Sequence, residues 1–144
     1  MKKRIISALL AVMLIISASI SCYAVEARAS RYFDGYILAI GAKGNGQMSV
    51  SFTVYGMGEM DKIGAYYIRI EEEVGNDEWV KTLTAYGDKM PDKFYSYNAY
   101  EHGGNYTFTG VPGVKYRAVM KAYAEDENGS EYSDEFTSTG RVCK

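Results

Sequence analysis

The chain has 144 residues, with 16 basic and 18 acidic side chains, one histidine, two cysteines and 14 tyrosines. That length suits one domain of ordinary size. The mildly acidic balance argues against nucleic acid or an anionic membrane surface as partner, since both are bound through clustered Lys and Arg.

The first residues carry an address. Lys2, Lys3 and Arg4 precede an apolar stretch from Ile5 to Ile20, and small residues follow up to Cys22-Tyr23-Ala24. This is the pattern of a secretory signal peptide over residues 1–24, and the apolar run is shorter than the roughly 20 residues of a spanning helix. Cleavage is expected after Ala24, with Ala27-Arg28-Ala29 offering a second site and a lipoprotein-type cut before Cys22 a third. Processing after Ala24 removes three basic and no acidic residues, leaving 13 against 18 and a formal charge of −5. The expected location is extracellular, with no membrane anchor once the signal is cleaved. Cys22 leaves with the leader, so Cys143 stands alone and no internal disulfide is possible. It reads as an idle thiol on a frayed end, with an intermolecular disulfide as the alternative.

Residues 25–35 read as a flexible N-terminal segment, and 36–144 as one domain. Tyr36 to Ile40 predicts a first strand, and Gly44-Asn45-Gly46 a tight turn. Met48, Val50, Phe52 and Val54 then alternate with Ser49, Ser51 and Thr53, the period of two of a half-buried strand. Residues 56–64 read as a loop. Tyr66, Ile68 and Ile70 form the next strand, Gly75-Asn76-Asp77 turns the chain, and Trp79 to Thr84 follows. The segment from Tyr86 to Asn105 is irregular and aromatic.

Tyr106 to Tyr123 is the most informative stretch. Tyr106 and Phe108 alternate with Thr107 and Thr109, Val111-Pro112-Gly113 interrupts the ladder, and Tyr116, Ala118, Met120 and Ala122 resume it. If Tyr116 faces inward, those three residues share its face, while Arg117, Lys121 and Tyr123 point out. Asp126-Glu127-Asn128-Gly129 reads as a hairpin turn in preference to a calcium loop, which would need a closing Glu and further ligands. About seven strands with closely spaced turns predict an all-β, antiparallel sandwich. Its core would hold Phe52, Ile68, Ile70, Trp79, Phe108 and Tyr116.

These residues resemble a fibronectin type III domain, a seven-stranded sandwich of the immunoglobulin-like class. Met48-x-Val50-x-Phe52 and Tyr66-x-Ile68-x-Ile70 match its second and third strands, and Trp79 the opening of the next. Phe108-x-x-Val111-Pro112-Gly113-x-x-Tyr116 matches its corner, and Asn128-Gly129 with Ser133 its last hairpin. The resemblance runs from about residue 36 to 139. Phe52 stands where the family usually has Trp, Val111 where it usually has Leu, and the family's proline-rich opening is absent. The chain is also similar to small secreted proteins of Gram-positive bacteria, whose role is uncharacterised. The kinship implies an architecture and no activity.

Chemistry is sparse. His102, beside Gly103-Gly104, reads as a surface residue, and with Cys143 it gives no zinc spacing. No Ser-His-Asp arrangement has a credible nucleophile. Glu71-Glu72-Glu73 along a strand cannot pair carboxylates across a cleft, and reads as a solvated face. No catalytic residue, metal or cofactor is therefore expected. The candidate binding residues are Tyr86, Phe94, Tyr95, Tyr97 and Tyr100, read as an aromatic loop, together with Tyr67 and Trp79. Tyrosine gives large contact area at low entropy cost, as binding loops exploit. The expectation is a secreted, non-enzymatic module recognising an extracellular protein. A carbohydrate-binding module, or a structural piece of an extracellular assembly, are the alternatives.

Overall fold

The computed structural model describes residues 30–144, which are all-β and antiparallel with almost no helix. The signal peptide and its cleavage sites lie outside the described residues. Eight strands form one sheet: β1 (Phe33–Gly44), β2 (Gln47–Gly75), β3 (Glu78–Tyr86), β4 (Tyr95–Thr109), β5 (Lys115–Asp126), β6 (Gly129–Tyr132), β7 (Phe136–Thr137) and β8 (Arg141–Val142). A 3-10 turn (Gly87–Lys89) and the single helical turn α1 (Pro91–Phe94) lie between β3 and β4.

The organising element is β2, 29 residues long. Its first part pairs with β1 on one side and with the later part of β4 on the other. Its last part pairs with β3 and β5. The sheet thus curls as a half-barrel, and both parts pack side chains into one core. The predicted alternation holds in the first part, where Met48, Val50, Phe52 and Val54 are buried. Residues 56–64, expected to be a loop, instead continue the strand through a bend. The register with β4 slips between Tyr55 and Met60, and that with β5 slips again between Ala65 and Tyr67. Buried positions move from even numbers to Ile63 and Ala65, then back to Ile68 and Ile70. Such slips are bulges, which bend a strand and re-aim its side chains.

Turn chemistry pins the ends of the strands. Asn45 and Gly46 both take positive φ, at 52° and 76°, as a two-residue hairpin between β1 and β2 requires. Gly64 has no room for a side chain, because a Cβ there would sit 1.8 Å from the Phe94 carbonyl oxygen. That close approach lets Phe94 drop into the core.

The corner before β5 is as the sequence suggests. Tyr116 is 4% exposed, and Ala118, Met120 and Ala122 are fully buried on its face. The phenol oxygen of Tyr116 accepts a hydrogen bond from the Val111 amide at 3.0 Å, and its ring stands edge-on to Phe108 at 5.5 Å. β6, β7 and β8 all pair with β5 and behave as one strand broken twice. At each break a serine repairs the ladder. Ser133 and Ser138 donate their amides to the carbonyls of Ala122 and Ala118. Their hydroxyls accept from the amides of those same alanines, at 2.8 and 2.9 Å.

Several expectations are corrected. Tyr32 and Phe33 are buried and β1 starts at Phe33, so the described part of the segment expected to be flexible is packed. Cys143 is not on a frayed end. It is 2% exposed, its backbone bonds to Gly113 and Val114, and a Cβ at Gly110 would approach its sulfur to 3.2 Å. Trp79 lies outside the core, half-buried on the opposite face of the sheet.

Truncating Phe52 to Ala is expected to cost about 3–5 kcal/mol, because the site is closed on all sides. Tyr116→Phe removes only the corner hydrogen bond and is expected to cost about 0.5–1.5 kcal/mol. Urea denaturation of both variants checks the order.

Candidate functional site

Side chains on β2 and β5 that point away from the core meet each other and their neighbours on β3 and β6 in register. Tyr67 lies opposite Tyr86 and Lys121, and Tyr123 lies opposite Tyr132. The bulge at Ala65 and Tyr67 turns adjacent Tyr66 and Tyr67 to one side, with ring centroids 5.7 Å apart. The result is a tyrosine cluster built from four strands. Tyr66 contacts Tyr132 at 4.9 Å and Tyr86 at 6.3 Å, Tyr67 contacts Tyr86 at 6.1 Å, and Tyr123 contacts Tyr132 at 4.8 Å. Tyr86 and Tyr132 are 45% and 50% exposed, so the cluster presents ring surface to solvent. Neighbouring ring planes are inclined at 49–74°. The surface is therefore ridged and not a flat shelf.

Charge borders the rings. Lys62 Nζ sits 4.0 Å from the centre of the Tyr95 ring and 5.3 Å from that of Tyr123. Arg69 forms a two-pronged pair with Glu135 at 2.7 and 2.9 Å, and Tyr67 donates its hydroxyl to the same carboxylate. To reach Glu135, Arg69 crosses β5 above Val119, which is 2% exposed although it points outward. Arg69 and Arg117 also grip Glu71 at 2.8 and 2.7 Å. Arg117 then lies over the Trp79 ring at 4.4 Å, with Lys115 at 5.5 Å from it and paired to Glu73. Glu71, expected on a solvated face, is 7% exposed and held by two guanidinium groups. Burial alone would raise its pKa, but the hydrogen bonds from Arg117 and Arg69 outweigh it and hold it below the usual carboxylate value. The Arg69 hydrogen bonds pull Glu135 down to about 2.

The seven candidate residues are divided by the fold. Tyr67 and Tyr86 belong to the tyrosine cluster, and Trp79 lies at the far end of the same face. Phe94 is wholly buried beside Phe52, and Tyr95 is 5% exposed against Tyr123, so neither belongs to an exposed loop. Tyr97 and Tyr100 are exposed on β4, away from the ring contacts. The segment read as an irregular loop is mostly strand. Tyr66, Tyr123 and Tyr132 lie outside the residues expected to bind. The outward phase of Tyr123 and the hairpin register that sets Tyr132 opposite it were the available signals.

His102 is also corrected. It is 6% exposed, Nε2 donates to the Lys93 carbonyl at 3.0 Å, and Nδ1 accepts from the Ser96 hydroxyl at 3.0 Å. Burial lowers its pKa, against a smaller opposing effect of the Lys93 bond. Glu59, Asp61, Asn98, Asp126, Glu127 and Asn128 line an open cleft of about 230 Å³. Among the described residues, no group of three or more His, Cys, Asp or Glu side chains is spaced to hold a metal ion. Comparison with protein-family models, curated proteins and solved structures finds no match for the chain.

The buried histidine gives a pH dependence. Unfolded, His102 takes up a proton near 6.5; folded, it does so only at lower pH. Stability is therefore expected to fall as pH drops below about 6.5, until the native value is passed. Denaturation series at pH 7 and pH 5 should show the loss, and His102→Gln should remove most of the difference between them.

Proposed function

We propose that this chain is a secreted, non-catalytic binding module that recognises an extracellular protein through the tyrosine face of β2, β3, β5 and β6. The observation that carries this reading is the half-exposure of Tyr86 and Tyr132 on top of rings already packed against one another. Tyrosine anchors in a well-packed setting are what protein interfaces favour. The inclined rings favour a protein over a sugar, which stacks best on coplanar aromatics. The non-catalytic reading draws support from His102 and Cys143, both buried and tied into the fold. Export rests on the basic, apolar and small-residue pattern of residues 1–24.

The same proposal takes the domain to be an immunoglobulin-like sandwich of fibronectin type III plan. With β2 counted as two strands at its bend, and β6 to β8 as one, the strands number seven. Their order, β1–β2–β4 in one layer and β3–β2–β5–β6 in the other, supports this plan. So does the Tyr116 hydroxyl bonded to the backbone five residues upstream.

The test is capture from the producing cell's culture with the protein as bait, beside a glycan array. A captured protein whose affinity falls at least about tenfold with Tyr86→Ala or Tyr132→Ala is the expected result. Glycan binding abolished by those changes would overturn it.

A further inference from the structure

The exposed strand edges of the described residues are guarded unequally. β3 carries a bulge at Thr82, whose hydroxyl donates to the Ile70 carbonyl, and exposed charges at Glu78 and Lys81. β6 to β8 are broken at both serines. The later part of β4 is approached by the Lys93 carbonyl, which meets His102 and would lie 2.7 Å from a Cβ at Gly104. Between its ends β1 has no bulge, break or charge, and the C-terminal segment approaches it only near those ends, Phe136 at Tyr36 and Arg141 and Lys144 beside Gly41 and Ala42. From Gly35 to Ala42 its register with β2 is unbroken, with no proline and no charge in that span. Ile37 is 52% exposed, and Tyr36 and Leu38 are only partly buried. A long, regular, uncharged edge presents a row of unpaired amides and carbonyls, and such an edge is a template for another strand.

We propose that this edge is a self-association surface: two copies pair β1 to β1 in antiparallel fashion about a two-fold axis, joining their sheets into one. The occupant is specified by charge. Asp34 and Lys43, both exposed, sit at opposite ends of the uncharged span, each at a register slip. Antiparallel pairing centred on Leu38 and Ala39 brings each Asp34 beside the partner's Lys43, twice per interface. This is the self-complementarity that a two-fold contact demands. The outward neighbours of β1 on β2 are Ser49, Ser51 and Thr53, small and uncharged, so nothing bulky or charged interrupts the joined surface. The surface is separate from the tyrosine face, and its failure would leave that reading untouched.

Sedimentation velocity of the purified protein at micromolar concentrations is expected to give the mass of a dimer. Asp34→Lys or Lys43→Asp alone should raise the dissociation constant at least about tenfold, since each turns two attractive contacts repulsive. The two changes together should restore the dimer, and Ile37→Lys should abolish it. All three positions of change are exposed, and circular dichroism checks that each of the four variants is folded. A monomeric unmutated protein, a dimer indifferent to charge reversal, or a double reversal that fails to restore pairing would overturn the proposal.

Discussion

The architecture depends on one constraint: a single strand must serve both parts of the sheet while keeping its apolar side chains toward one interior. β2 does this by slipping phase twice, near its glycine-bearing middle and again at Ala65. Strict alternation over its whole length would be incompatible with the bend and with both sets of inward residues. The slips also place Tyr66 and Tyr67 on one side, so the device that closes the core builds the tyrosine cluster as well. The core and the outer face are products of the same irregularity.

On that outer face, order matters more than energy. Exposed ion pairs contribute roughly 0–1 kcal/mol each, so the Arg69–Glu135 contact adds little to net stability. Glu71 is buried between Arg69 and Arg117, and breaking that contact would cost more. Both contacts also hold side chains still. Arg69 braces Tyr67 through Glu135, and Arg117 lies on Trp79. A ring already immobilised by its neighbours loses less entropy on binding, a saving of about 0.5–1.5 kcal/mol per ordered side chain. The ring contacts among Tyr66, Tyr86, Tyr123 and Tyr132 act in the same way.

The sequence revealed what is local and hid what is long-range. The alternation from Met48 to Val54, the Asn45-Gly46 turn and the Tyr116 corner were legible because each is set by residues a few positions apart. The bend of β2 was not. Met57, Gly58 and Glu59 look like loop residues, and only pairing with distant strands extends them. His102 and Cys143 seemed exposed because glycines and a chain end surround them in sequence. In space, Lys93, Ser96 and Phe52 enclose the first, and Gly110 and Tyr116 crowd the second. Of the tyrosine cluster, Tyr86 reads in sequence as part of a loop that is largely strand, and Tyr67 as a residue beside it.

The two serine repairs along β5 have a consequence for growth. By spending hydroxyls on bonds that main-chain carbonyls would otherwise accept, Ser133 and Ser138 leave β6 to β8 too irregular to seed a further layer. A molecule with adhesive borders on both flanks would polymerise head to tail without limit. If β1 pairs as proposed, a single receptive border would be exhausted in the first encounter, and assembly would stop at two.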